Sequence, residues 1–266
     1  MVSVVFFVFL FGLIWGSFLN VVIYRTTHGT SPLSGRSMCP KCKKIISWKN
    51  NIPLISFLLL RGRCANCHTR ISWRYPVVEF MTGILFVWWY LIGQSFFSLV
   101  GSPFNYLQPI FWLIIGMLLL VVFFADLFFG LIPDSVNLML FSLAFFYRLV
   151  LVSFSQMQVV DLYRAVGAAI ILTIFFYSLW FFTRGRGFGF GDVKLAPSLA
   201  LLLGWPRVSV GIFSAFVIGA VLGLGLILFG KRKFGQTIPF GPFLIVGVLV
   251  GLLFGNDLWG WYWGLI

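Results

Sequence analysis

Apolar residues in this chain come in long unbroken runs. They show neither the strict alternation of a half-buried strand nor the three-and-four spacing of a helix with one wet face. Runs suited to crossing about 30 Å of hydrocarbon fall at residues 2–24, 77–98, 110–131, 136–153, 164–182, 193–204, 207–230 and 239–256. The sixth is short, and the fourth and eighth are marginal. Barrel strands would alternate apolar and polar residues, so these runs predict helices. The expected fold is an all-α polytopic membrane protein with about eight transmembrane helices. The one long polar stretch, 25–76, reads as a small loop domain set between a first helix, 1–24, and a membrane domain, 77–266.

Composition agrees with that pattern. Hydrophobic residues make up 61% of the 266 and charged residues 9%, with a mean hydropathy of +1.03, whereas soluble domains carry about 25% charged residues. Residues 2–24 lack a basic n-region and outrun a secretory h-region, so they read as a retained span. The first basic residue, Arg25, follows the run, which places the N-terminus outside. The inner loops are then about 25–76, 130–136, 183–194 and 231–238, and they hold sixteen of the nineteen Lys and Arg. Only Arg148, Arg164 and Arg207 fall near outer ends. The net charge of +13 therefore reads as cytoplasmic loops held against anionic membrane lipids. Nucleic acid is not expected as a partner, since no basic groove interleaved with stacking aromatics is visible.

Two late runs carry small residues every fourth position: Ala215, Gly219 and Gly223, then Gly247, Gly251 and Gly255. In lipid that spacing lets helix backbones approach closely.

All four cysteines lie in the polar loop, as Cys39-x-x-Cys42 and Cys64-x-x-Cys67 with 21 residues between the pairs. Two such knuckles supply four thiolates for a closed tetrahedral zinc site. A loop this short lacks a large core, so metal ligation would supply much of its folding free energy. Disulfides are the competing reading, but the charge rule places the loop in the reducing cytosol. His68 beside Cys67 is a spare ligand at most.

The six acidic residues sort by depth. Asp161 and Asp257 stand at outer ends, Asp134 in "LIPDSVN" reads as a helix N-cap, and Glu79 at the inner end of the second span reads first as an ion-pair partner. Asp126, inside "LLLVVFFADLFFGLIP", and Asp192, behind the glycines of "FGFGD", have no such surface role. A carboxylate within a spanning helix costs about 2.5–3.5 kcal/mol on insertion scales and marks a functional site by default. The third run travels inward and the sixth outward, so Asp126 and Asp192 reach the same depth near the cytoplasmic face. Two carboxylates in a low-dielectric cleft share a proton, one as base toward water and one as acid toward a carbonyl. That is aspartic-protease chemistry. Gly189 and Gly191 would let an extended substrate approach Asp192. Cation binding or a proton relay, as in a non-enzymatic proton-coupled transporter, is the alternative use of such a pair.

Several stretches in order resemble the bacterial prepilin peptidases, the type IV leader peptidases. They are "GSFLNVVIYR" at 16–25, both CxxC pairs, "NIPLISFLLLRGRC", "ISWRYPVVE", "ADLFFGLIPD", "GFGFGDVKL" and "IPFGPFL". The resemblance covers nearly the whole chain. It implies an inner-membrane enzyme that removes the leader of type IV prepilins or type II secretion pseudopilins at the cytoplasmic face. It also implies N-methylation of the new N-terminal residue with S-adenosylmethionine as donor. The catalytic aspartates of this GxGD peptidase class map onto Asp126 and Asp192, and the cysteine loop onto the part associated with methylation. No glycine-rich fingerprint for the donor follows a strand, so its site is expected in the region of loop 25–76, with Glu79 as a candidate participant. A GxGD intramembrane protease without methyl transfer is the alternative within this class. The residues at 188 and 190, often smaller in the family, are both Phe here.

Overall fold

In a computed structural model, residues 2–32, 34–99, 101, 103–230 and 238–265 are described. Lys231, Arg232 and Lys233, counted above among the inner-loop charges, lie outside the described residues. The helices are α1 (Val2–Thr27), α2 (Ile55–Leu59), α3 (Arg74–Trp88), α4 (Gln94–Phe96), α5 (Phe104–Phe129), α6 (Asp134–Ser153), α7 (Val159–Thr183), α8 (Phe190–Leu203), α9 (Arg207–Leu228) and α10 (Gly241–Gly264). A π-helical stretch, Trp89–Gly93, joins α3 to α4. Among the described residues there is no strand, only two isolated antiparallel bridges, Met38 to Ile45 and Arg63 to Arg70. The protein is a multi-pass membrane protein. Among the described residues, seven helices are long and apolar enough to cross a bilayer, with Arg74–Phe96 counted as one.

The sixth predicted run is α8, and its 14 residues rise about 21 Å, short of the hydrocarbon thickness. Ten of those residues are buried, which explains an apolar run with no wet face. It is a core helix wrapped by its neighbours, not a lipid-facing one.

The chain forms two compact units, Met1–Phe124 and Ala125–Ile266. In the first, α1 and α3 cross at glycines. A Cβ on Gly12 would stand 2.8 Å from the Gly83 Cα, and one on Gly16 would stand 2.6 Å from the Glu79 Cα. The Asn20 amide donates to the Tyr75 carbonyl at 3.0 Å, tying α1 to the first turn of α3.

In the second unit, α8 is fixed by polar ties at both ends and along its length. The Asn137 amide of α6 donates to the Lys194 carbonyl at 2.7 Å, and the Ser198 hydroxyl donates to Asn137 Oδ1 at 2.7 Å. Arg148 donates to the Leu201 and Leu202 carbonyls, satisfying the C-terminal turn. Asp134 is the first helical residue of α6, with Pro133 at the cap position, and it pairs with Lys194 at 2.8 Å instead of capping. Both partners are exposed, so this pair contributes little.

The small residues of α9 and α10 meet as expected, with the seam centred one turn earlier on α9. A Cβ on Gly247 would overlap the Gly211 carbonyl oxygen and stand 2.8 Å from the Ala215 Cβ, while Gly255 abuts Arg207. Gly219 instead faces Phe240 and Phe243. Gly247→Leu is expected to wedge α9 from α10, destabilising the protein by about 1–3 kcal/mol. Gly225→Leu, placed where no atom lies within 4 Å, leaves the thermal midpoint in detergent unchanged. Thermal unfolding of both variants checks this.

Candidate functional site

Asp126 occupies the last turn of α5 and Asp192 the first turn of α8, both within the second unit. They are 7% and 5% exposed, so neither faces lipid or bulk water freely. The two carboxylates lie close enough to act on each other electrostatically.

Each acid is held by a glycine amide. Gly241 donates to Asp126 Oδ2 at 2.8 Å, and Gly189 donates to Asp192 Oδ2 at 3.2 Å. Gly189 is the N-cap of α8 and Asp192 its third residue, so the carboxylate reaches back to the cap amide as in a capping box. A Cβ on Gly241 would stand 2.6 Å from Asp126 Oδ2, so any side chain there would displace the carboxylate. Gly191 is less confined: a Cβ there would stand 3.3 Å from the Ile132 side chain.

The residue before each of these two glycines is a phenylalanine. The Phe188 and Phe240 rings meet edge to face at 5.1 Å. Both also touch Phe216, at 5.8 and 5.1 Å, and Phe176, at 6.0 and 6.3 Å. Phe176 is fully buried. This four-ring cluster locks the two Phe-Gly corners together, and with them the two amides that aim the acids. Its signal in the sequence is the repeated Phe-Gly dipeptide at 188 and 240, which spacing alone did not connect. Phe190 takes a different course: it packs at a tilt against Trp180, ring centres 5.2 Å apart, and lies beneath Lys194.

In the first unit the four cysteines converge. The sulfurs of Cys39, Cys42, Cys64 and Cys67 all lie within 4.8 Å of one another, and all four are free thiols. Cys39 Sγ and Cys67 Sγ are 3.8 Å apart, far beyond a disulfide bond. The loop repeats itself around the cluster. "CPKCKKIISWK" at 39–49 recurs as "CANCHTRISWR" at 64–74, a duplication that the cysteine count alone did not reveal. The same hydrogen bonds recur with it: Cys39 N to Lys44 O and Cys64 N to Thr69 O, then Lys43 N to Cys39 O and His68 N to Cys64 O. Lys43 and His68 both adopt left-handed φ, 58° and 54°, which closes each knuckle. His68 therefore shapes the turn and is not in the cluster.

The amides of Cys67 and Asn66 point at Cys64 and bring its thiol down to about 6. Cys67 also receives an amide, from Thr69, yet burial and the three neighbouring sulfurs push it up to about 11. Four thiolates in one shell repel one another, and a bound cation removes that repulsion. The cluster can hold a metal ion.

Glu79, the other acid singled out in the sequence, is buried in α3. Its Oε2 accepts the Leu54 amide at 2.9 Å, and the Ser17 hydroxyl bonds the carboxylate as well. Neutral donors hold it, not the ion pair its position first suggested.

Two family models match the chain. The Bacterial Peptidase A24 N-terminal domain covers residues 10–92, and the Type IV leader peptidase family covers residues 113–224. Proteins named prepilin leader peptidase/N-methyltransferase are similar over nearly the whole length. The one from Aeromonas hydrophila is 31% identical, over 96% of this chain and 92% of its own. The one from Bacillus subtilis (strain 168) is 30% identical, over 96% of both. The one from Neisseria gonorrhoeae is 34% identical, over 93% of this chain and 90% of its own. No solved structure matches the chain significantly. With both family models and full-length relatives in agreement, the chain belongs to the type IV leader peptidase family.

Proposed function

We propose that this protein cleaves the leader peptide from type IV prepilins or pseudopilins and then N-methylates the new N-terminal residue. The observation that carries the cleavage step is the buried pair Asp126 and Asp192, each aimed by a glycine amide. In the reading we adopt, one carboxylate accepts a proton from a water molecule as that water attacks the scissile carbonyl. The other, protonated, gives its proton to the carbonyl oxygen, and collapse of the tetrahedral intermediate returns a proton to the departing amine. The amides fix the carboxylates without consuming both oxygens, since each takes up Oδ2 alone. Gly189 is exposed, and a Cβ there would find nothing nearer than Asp192 Oδ2 at 3.6 Å. That open backbone gives an extended peptide room beside the acid.

The setting we infer is the inner membrane, with the paired acids and the cysteine loop on the cytoplasmic side, in line with the basic residues of loop 25–76. There a prepilin presents its cut site, between a charged leader and an apolar helix, at the membrane surface. We assign zinc to the four thiolates, because a closed sulfur tetrahedron suits that ion and leaves no open position for catalysis. Its role would be to hold the loop together. For methylation, S-adenosylmethionine would supply an electrophilic methyl group. Glu79, buried and held by Leu54 and Ser17, is the residue of the first unit we assign to binding the incoming amine or taking its proton.

Incubating the purified protein with a prepilin and S-adenosylmethionine, read by intact mass, should show loss of the leader and gain of one methyl group. Loss of the leader without the methyl gain would reduce the function to proteolysis. Asp126→Asn and Asp192→Asn are each expected to lower cleavage by about 10²–10⁴-fold, with unchanged thermal unfolding. Full processing by either variant would remove that aspartate from the mechanism.

Gly241→Ala provides a finer check, since it forces the Asp126 carboxylate to move. It should lower kcat by about 10²-fold, the scale of a 1 Å misplacement, while KM changes little. Metal analysis of the full-length protein should find a single zinc. Cys64→Ser should release it and open residues 36–72 to proteolysis. Ready alkylation of all four thiols in the native protein would exclude the metal site.

A further inference from the structure

The short helix α2 is built inside out. Its one polar side chain, Ser56, is buried, and its hydroxyl donates to the Lys49 carbonyl at 3.0 Å. Ile55, Leu58 and Leu59, which share one helical face by their spacing, are 47%, 71% and 76% exposed. A loop that met only water would turn that ridge inward.

The height of the ridge is fixed by two contacts to the start of α3. The Leu54 amide, just ahead of α2, donates to Glu79, which sits in the second turn of α3. The Phe57 ring packs against Trp73 at 4.8 Å, and Trp73 immediately precedes the first residue of α3. Trp73 is itself 70% exposed. The segment that runs on from Arg74 is one of the membrane-crossing helices, so Trp73 and α2 stand where a spanning helix enters the bilayer. Exposed tryptophans collect at that level. Trp48, 75% exposed with the Lys49 ammonium over its ring at 5.6 Å, lies on the turn that Ser56 ties to α2.

Charge selects the occupant. Residues 28–73 hold eight Lys and Arg and no Asp or Glu. Each such cation near an anionic leaflet favours adsorption, and an apolar ridge beside it favours burial among the headgroups. We propose that α2 lies in the headgroup layer of an acidic leaflet, with Leu58, Leu59 and Trp73 immersed and the basic residues of the loop on lipid phosphates. The cysteine cluster would then be docked on the membrane surface and not suspended above it. This rests on the geometry of the loop and not on the catalytic reading.

Hydrogen–deuterium exchange on the full-length chain tests it, in nanodiscs of phosphatidylcholine alone and of phosphatidylcholine mixed with phosphatidylglycerol. The amides of Leu58 and Leu60, bonded to Leu54 and Ser56 within this segment, should exchange about tenfold more slowly in the mixed discs, and added salt should reverse the difference. A Leu58→Asn, Leu59→Asn variant should lose that protection while the α3 amides keep theirs. If the variant also loses α3 protection, the lipid comparison on the unmodified chain decides alone. Equal exchange in the two lipids overturns the proposal. So does protection that arises only when a prepilin is added or when two copies share a disc, because the ridge then belongs to a protein partner.

Discussion

Two carboxylates buried inside a membrane protein need compensation, and here a backbone amide meets each of them. The Gly241 amide on Asp126 and the Gly189 amide on Asp192 replace part of the water each acid gave up. In the low dielectric of that interior such bonds are stronger than at a surface. Other features of the second unit keep those amides in place. The four-ring cluster holds the two Phe-Gly corners at one separation. The Gly211–Gly247 crossing sets how closely α10 lies against α9, and Gly241 is the first residue of α10. A tight seam six residues along the helix thus reaches Asp126 through a single N–H.

The glycines of the second unit consequently do different work. Those at 211, 247 and 251 admit a neighbouring backbone, and the one at 241 admits a carboxylate. Gly189 admits nothing in the protein, and its φ of −74° is open to any residue. Its lack of a side chain therefore matters for what approaches from outside.

Much of this was legible in the chain beforehand, because the bilayer makes apolar length informative. Among the described residues seven runs became long helices, α1 and α9 beginning where expected, while α5 starts at Phe104 instead of 110 and α10 runs on to Gly264 instead of 256. The sixth became α8, whose short length signals burial by protein when a run falls below the membrane thickness. The depth argument for Asp126 and Asp192 rested on helix direction, and the pair came together. The partners that aim them did not show, since Gly241 lies 115 residues from Asp126 and a backbone donor leaves no trace in residue type. Asp134 was misplaced for a related reason. Its nearness to Pro133 suggested a cap, while the actual partner, Lys194, lies 60 residues away. Glu79 likewise found an amide and a hydroxyl where charge counting favoured a cation. In the cysteine loop, spacing singled out at once the four thiols that the fold brings together. The duplicated Ile-Ser-Trp after each knuckle was equally present in the sequence, but it matters only once both halves are seen to make the same turns.

Hydrolysis needs water at a peptide bond without an aqueous path across the bilayer, and α8 suggests how one fold meets both demands. Its N-terminal turn carries Asp192 next to exposed Gly189 and Phe190, so that end is reachable. Its middle is buried among apolar residues, and the one internal polar group, Ser198, is bonded to Asn137. Its far end is closed by Arg148, whose guanidinium satisfies the Leu201 and Leu202 carbonyls that water would otherwise have to meet. In the proposed mechanism, a helix about 21 Å long with one wet end and one sealed end would admit reactants from a single side. The same helix, extended at its far end to full membrane length, would carry its last carbonyls beyond the reach of Arg148.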